Sequence, residues 1–441
     1  MKNSTPKRDI FSHYMRRLQQ VDPIIQIGRI YQIVGMVMES VGPAVSMGDL
    51  CTIKPQNGQH EGRAEVVGFR ENKILLMPLN EISGYSPGSQ VIAANEDLSV
   101  GIGDNLLGRI LNGLGEPIDS LGPIFFDAKR SLYQTPPNPM KRPPIHKPIA
   151  TGVKAIDGLI TIGQGQRMGI FAGSGVGKSV LLGMIARNTS ADVNVIALVG
   201  ERGREVREFI ERDLGKEGLK RSVVVAATSD ASPLIRIKGA FTATTIAEYF
   251  CEKGLNVLLM MDSVTRVAMA QREIGLAVGE PPATKGYTPS TFSLLPKLLE
   301  RAGNFPNGSI TGLYTVLVEG DDLNDPIADS ARSILDGHIV LSRDLANRGH
   351  YPAIDPLQSI SRVMPEVVTP EHLKSARNFL NVLSVYREAE DLINIGAYVK
   401  GSNPKIDRAI GIIDALNGFL QQDVPERKKF EQIVEDLFSI F

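Results

Sequence analysis

Five short, nearly unbroken apolar runs punctuate the middle of the chain, at 194–199, 223–227, 257–261, 312–318 and 338–341, with helical periodicity between them. Unbroken apolar character is expected of strands covered on both faces, as in a parallel sheet. Alternation of such strands with helices, from residue 98 to about 368, predicts an α/β core with a mostly parallel sheet. Residues 23–97 read differently. Their β-rich runs at 27–34, 50–53, 64–69 and 73–77 are separated by turn residues, which predicts a small barrel or sandwich. Residues 369–441 turn helical. Thr369-Pro370 opens one helix, Gly401-Ser402-Asn403-Pro404 breaks the chain, and Ile406, Ile410, Ile413, Phe419 and Leu420 mark a further apolar face. Residues 1–22 are polar and mildly basic, with Ile10, Phe11, Tyr14, Met15 and Leu18 at helical spacing. That stripe suits either a helix packed on its own domain or an arm that binds a partner.

Composition narrows the function classes. A chain of 441 residues holds two or three domains. A net charge of −1 offers no electrostatic footprint for nucleic acid. The two cysteines, Cys51 and Cys251, form no CxxC pair and no disulfide framework, which points to a reducing cytosol. No apolar run approaches the roughly 20 residues that span a bilayer, and the N-terminus lacks a signal-peptide core.

The strongest local signal is Ala172-Gly173-Ser174-Gly175-Val176-Gly177-Lys178-Ser179. A short apolar run at 168–171 precedes it as a strand, and 180–186, starting with Val180, reads as a buried helix. Strand, Gly-rich turn and helix are the context of a P-loop. Glycines let the backbone approach phosphate, and the exposed N–H groups and helix N-terminus favour anionic oxygens. Lys178 is placed to reach the β- and γ-phosphates, and the Ser179 hydroxyl to bind Mg²⁺. Ala172 stands where the usual pattern has glycine.

Two acids end apolar strands. Asp262 closes the run at 257–261, and ligands of open parallel sheets sit at the carboxyl ends of strands; it faces the P-loop as a Mg²⁺-shell carboxylate, with a turn or cap acid as the bland alternative. Glu201 follows the run at 194–199 and could polarise the water that attacks the γ-phosphate. Arg202, Arg204 and Arg207 surround it, to contact phosphate or simply to pair with Glu201, Glu205 and Glu208.

Tyr351-Pro352-Ala353-Ile354-Asp355-Pro356-Leu357-Gln358-Ser359-Ile360-Ser361-Arg362 resembles the signature of the rotary ATPase α/β family. The run Gly108-Arg109-Ile110-Leu111-Asn112-Gly113-Leu114-Gly115-Glu116-Pro117-Ile118-Asp119 and the Gly200-Glu201-Arg202 turn are similar to that family too. Within it, 279–287, 294–303 and 395–404 most resemble the flagellar type III export (FliI-like) ATPases. The resemblance covers residue 25 to the end. It implies a RecA-like P-loop core with an N-terminal β-barrel and a C-terminal helical domain, assembled as a homohexamer in the cytoplasm at the inner-membrane base of an export apparatus. It implies ATP and Mg²⁺ as ligands, with Lys178 and Ser179 on phosphate and metal, Glu201 activating water and Asp262 in the metal shell. Arg362 would be a finger entering the neighbour's site, Tyr351 would stack on adenine, and Arg202 and Arg266 match arginines near the phosphates. The implied partners are a stator (FliH-like) protein at the N-terminal arm, a coiled-coil stalk (FliJ-like) protein, chaperone–substrate complexes and a membrane-embedded export gate, with no nucleic acid.

The alternatives are a virulence type III secretion ATPase and, less favoured, a rotary ATP synthase catalytic subunit, whose acidic C-terminal motif around a Leu-Ser pair is missing here. A noncatalytic rotary subunit would lack the carboxylate at Glu201. An RNA translocase would need a basic or aromatic surface in 23–97, which holds neither. An adaptor that merely binds ATP conflicts with a cradle, an acid and a finger in one chain.

Overall fold

The computed structural model describes residues 15, 26–56, 61–79, 84–94, 96–318, 320, 322 and 324–441. Apart from Met15, the N-terminal apolar stripe lies outside them. The chain divides into two compact units between Leu98 and Ser99.

The first unit is a closed antiparallel barrel, ordered β1-β2-β5-β4-β3-β6. Its strands are β1 (Ile27–Val34), β2 (Val37–Val41), β3 (Leu50–Lys54), β4 (Gly62–Arg70), β5 (Lys73–Pro78) and β6 (Gln90–Ala93). Four of them match the runs expected from sequence; β2 and β6 are additional and complete the closure. Closure removes exposed strand edges. Inward residues, among them Ile30, Met38, Cys51, Ile53 and Val66, form the barrel core.

The second unit continues in chain order with β7 (Ser99–Ile102), β8 (Ile110–Asn112), β9 (Ala128–Ser131), β10 (Pro148–Ile149), β11 (Ile162–Gly163) and β12 (Arg167–Ala172). Then come β13 (Val193–Val199), β14 (Ser222–Ala227), β15 (Asn256–Asp262), β16 (Gly303–Asn304), β17 (Ser309–Leu317), β18 (Gly337–Leu341) and β19 (Ile354–Ser361). Nine of these strands build one sheet, ordered β19-β18-β12-β17-β15-β13-β14-β8 with β16 paired to β17. All neighbours are parallel except β16 and β19. Every residue of β13 and β14 is buried, as two-sided helical cover requires.

Strand β19 was not expected from the sequence. It contains Pro356 and mixes polar with apolar residues, so it reads as loop; as an antiparallel edge strand it tolerates a missing N–H donor. It adds a strand after the run at 338–341, and Arg362 follows directly on its end.

The C-terminal helices Pro370–Asn394, Pro404–Leu420 and Phe430–Phe438 share one apolar core with the sheet. Thr369 Oγ1 accepts from the His372 N–H, and Asn403 Oδ1 accepts from the Lys405 N–H, so both breaks are side-chain caps. His372 Nε2 meets the Gly158 carbonyl at 2.8 Å, and the Phe379 and Phe419 rings pack at 5.5 Å. Of the expected apolar face, Phe419 and Leu420 are buried with Ala409 and Leu416, whereas Ile410 is 38% exposed. The buried line 409, 416, 420 sets the face, and residue 410 lies one helical step, about 100°, off it.

Arg301 is wholly buried beneath the sheet's helical cover. Its Nε and Nη2 hold the Glu248 carboxylate at 2.7 and 2.6 Å, and the remaining donors reach the Leu132 carbonyl and Thr245 Oγ1. Arg301→Ala strands the Glu248 charge, which costs about 3–5 kcal/mol. The expected outcome is a lower urea midpoint with unchanged slope; an unchanged midpoint would show that Glu248 finds water instead.

Candidate active site

The site grows from the carboxyl ends of three parallel strands. β12 ends at Ala172 and releases the chain into the Gly-rich turn, which feeds the Lys178–Asn188 helix. Gly175 and Gly177 adopt φ of 80° and 88°, left-handed values that a side chain resists. Gly177 is the residue before the first helical turn, so the turn delivers its N–H groups and the helix N-terminus to one concave spot. Gly173, Ser174 and Val176 complete the loop; Val176 is buried and anchors it, while Ser174 and Ser179 are exposed. Arg343 Nη1 donates to the Ser174 carbonyl at 3.2 Å and braces the turn from outside.

Lys178 lies between the two strand-end acids. Its Nζ stands 2.5 Å from Asp262 Oδ1 and 3.4 Å from Glu201 Oε1. The side chains of Lys178, Glu201 and Asp262 are 12%, 15% and 6% exposed, so the charges meet in a largely dry environment. Burial works against the Lys178 cation, but Asp262 and then Glu201 outweigh it and raise its pKa. Burial pushes the Glu201 carboxyl above the usual range; Lys178 pulls it back and the Asp262 charge adds to the rise. A carboxyl raised towards neutrality is better matched to proton transfer than an ordinary one.

Asp262 ends β15 and accepts a 2.7 Å hydrogen bond from Thr315 Oγ1 of β17. Thr315 was not singled out in the sequence; a hydroxyl inside the apolar run 312–318 is the only local hint of it. Glu201 sits after Gly200, whose φ is 72°; a Cβ there would come within 2.8 Å of the Arg266 Cβ. Arg266 therefore packs beside the Glu201 turn, and it lines a cavity of about 580 Å³ with Ser174, Arg272, Lys285 and Arg343.

Tyr351 lies across the cradle. A Cβ at Gly177 would come 3.5 Å from its ring, which is 46% exposed. The ring helps line a cavity of about 640 Å³ with Gly177, Val180, Pro352, Gln422 and Val424. Gln422 was also missed. Its N–H donates to the Tyr351 carbonyl, and its side chain bonds the Lys154 N–H and the Gly152 carbonyl, tying the C-terminal helices to this cavity. Its side-chain partners Lys154 and Gly152 are 268 and 270 residues away, so no local pattern marks it.

Two expected residues are not brought to the cradle. Arg202 has an 81% exposed side chain and pairs with Glu205 at 3.3 Å. Arg362 is exposed at the far end of the sheet. β12 and β18 run parallel with Ala172 opposite Leu341, and β19 runs back so that Ser361 pairs with Gly337. The Arg362 N–H donates to the carbonyl of Asp336, whose own N–H donates to the carbonyl of Arg167, the first residue of β12. Five residues of strand, about 16 Å, separate that level from the end of β12 where the cradle begins. Among the described residues the Arg362 side chain makes no hydrogen bond or ion pair.

Among the described residues no three His, Cys, Asp or Glu side chains cluster as a metal cage. Mg²⁺ suits this arrangement, because it keeps waters and takes substrate phosphate oxygens beside one or two protein ligands; Asp262 and the Ser179 hydroxyl are the candidates. No helix among the described residues is long and apolar enough to cross a membrane.

A left-handed glycine turn between a buried strand and a helix, a buried lysine and two strand-end carboxylates define a P-loop nucleoside triphosphatase. Family models agree along the chain. Residues 30–95 match the ATP synthase alpha/beta family β-barrel domain, 152–361 its nucleotide-binding domain, and 368–439 the C-terminal domain of the type III secretion ATPase EscN. The flagellum-specific ATP synthase of Bacillus subtilis is 57% identical over 96% of this chain and 97% of its own length. The type 3 secretion system ATPase of Xanthomonas euvesicatoria is 51% identical over 94% and 93%. Among solved structures, the assembled ATPase EscN of enteropathogenic E. coli superposes with a TM-score of 0.89 at 48% identity, covering 94% of this chain and 99% of EscN. The same ATPase in complex with its central stalk EscO gives 0.87 at 47% over the same shares. The chain belongs to the ATP synthase α/β family and is an ATPase of its flagellum-specific and type III secretion branch.

Glu201→Gln keeps the size of the side chain and removes the carboxylate. The expected outcome is near-normal nucleotide binding with hydrolysis slowed roughly 10²–10⁴-fold, read from fluorescent-nucleotide titration beside phosphate release. Lys178→Ala is expected to abolish turnover and weaken nucleotide binding. Wild-type hydrolysis by Glu201→Gln would remove Glu201 from the chemistry.

Proposed function

We propose that the chain hydrolyses Mg-ATP as a homohexamer in the cytoplasm and energises export of flagellar proteins through a type III secretion apparatus. The observation that carries the shared-site part is the separation of Arg362 from its own cradle by the length of β12. A free guanidinium at the opposite end of the sheet is of no use to its own site, and a second copy is what it can serve. The flagellar assignment is supported by the 57% identity to the Bacillus subtilis flagellum-specific enzyme, against 51% to the Xanthomonas euvesicatoria type 3 secretion system ATPase.

The residues act in sequence. The glycine turn and helix N-terminus bind the phosphates, with the adenine in the cavity against Tyr351. Lys178 moves from the carboxylates to the β- and γ-phosphate oxygens. That exchange frees Glu201, held near Asp262 in a dry pocket, to orient the attacking water and take its proton. Asp262, fixed by Thr315, and Ser179 hold Mg²⁺, which neutralises charge on the phosphates when bound. Arg362 of a second copy stabilises the transferring phosphoryl group. In this reading Arg266, which lines the cavity beside the Glu201 turn, meets phosphate, and Arg202, exposed and paired with Glu205, does so only once a ring forms.

The same reading gives the ring its partners. A stator protein binds the N-terminal arm, a coiled-coil stalk engages the ring as EscO does EscN, and chaperone–cargo complexes dock beneath a membrane-embedded gate. The functional divisions proposed are the arm 1–22, barrel 23–97, ATPase core 98–368 and helical domain 369–441.

Arg362→Ala tests the shared site. An arginine finger contributes about 10³–10⁵ in rate, so the variant should retain nucleotide affinity and lose nearly all turnover in fully assembled preparations. Unchanged kcat in assembled Arg362→Ala would overturn the reading.

A further inference from the structure

The far end of β12 carries a cluster that nucleotide binding does not need. Gln166, wholly buried, donates through Nε2 both to the Asp336 carbonyl and to Ser361 Oγ, each at 3.1 Å. Its Oε1 accepts from the Gly163 N–H at 2.8 Å, so the amide is held at both ends. Asp336 takes the Arg167 guanidinium as a fork, with Nε and Nη2 each at 3.0 Å, and also accepts from the Arg167 N–H at 3.1 Å. The Asp336 carbonyl then accepts the N–H of Arg362 at 3.1 Å. Arg167 is pinned further by Glu300, and Arg142 reaches the carbonyls of Glu300 and Ala302. The motif at 294–303, conspicuous in the sequence but unused by the ATP chemistry, ends in this cluster.

Two residues flank the guanidinium that matters. Ser361, immediately before Arg362, is hooked to Gln166; Arg362 itself is hooked by its backbone to Asp336. The backbone is therefore fixed at Arg362 and at the residue before it, while the side chain has no polar partner among the described residues. A fork between Arg and a carboxylate is planar and bidentate, so it sets direction as well as distance. A buried, doubly satisfied amide adds a second fixed point.

We propose that Asp336, with Arg167, Gln166 and Ser361, forms a positioning network that aims Arg362 at the neighbouring copy's nucleotide. None of the four touches ATP in this account; each acts through Arg362. The inference rests on Arg362 being a finger supplied in trans, the reading proposed above.

A double-mutant cycle separates the two claims. Asp336→Asn removes one charge and keeps the shape; Ser361→Ala is a milder change in case the first unfolds. Each is measured at saturating assembly, alone and combined with Arg362→Ala, for kcat, for ATP affinity and for melting temperature. Misplacing a reacting group by about 1 Å can cost around 10²-fold, so Asp336→Asn should lower kcat by at least about tenfold and Ser361→Ala by less. ATP affinity should stay within about twofold. In the Arg362→Ala background neither should lower the residual rate further, because the path they act through is already gone. Wild-type kcat in both Asp336→Asn and Ser361→Ala, or full multiplication of their losses with that of Arg362→Ala, would overturn the positioning role and leave the finger standing. An unchanged kcat in Arg362→Ala alone would instead overturn the finger, and the positioning role with it.

Discussion

One strand imposes the central constraint. β12 runs from Arg167 to Ala172 inside the sheet, paired on both sides, and its two ends carry the glycine turn and the anchor of the proposed finger. The carboxyl end opens into the glycine turn; the amino end is stitched through Asp336 and Gln166 to Arg362. A strand paired on both sides does not bend to bring its ends together. In the reading proposed above, this geometry divides the site between copies.

Within one copy, the balance of charge around Lys178 sets the resting state. Burial is the main reason the Glu201 pKa rises, and the Asp262 charge, shared with Glu201 across one ammonium, adds to it. Removing one partner of such a set is expensive because it leaves a buried charge unpaired. Phosphate competes for the same ammonium, and a divalent cation answers the surplus negative charge. The same groups suit a cation and an anion together, and Thr315 holds Asp262 by its 2.7 Å hydrogen bond.

Legibility followed sequence distance. The strand, glycine turn and helix around Lys178 are contiguous, so their geometry could be read directly, and Asp262 and Glu201 were legible because an acid at the end of an apolar strand has a fixed place in a parallel sheet. The barrel was legible as runs and turns, but β2 and β6, which complete it, carried too little contrast with their flanks. β19 was hidden by Pro356 and by its polar residues, both tolerated on an edge. Thr315, Gln422 and Asp336 act through partners distant in sequence, up to 270 residues away, and nothing local distinguishes them. Arg202 shows the converse: its neighbourhood in sequence left phosphate and pairing with a nearby glutamate both open, and in the single copy its side chain faces solvent and Glu205.

The most direct test of the shared site is the dependence of activity on assembly. Phosphate release per subunit is measured across a dilution series of wild-type protein, with light scattering on the same samples. If a second copy completes the site, specific activity rises with the fraction assembled and is low in the monomer although nucleotide still binds. A preparation shown to be monomeric that hydrolyses ATP at the assembled rate would contradict the account.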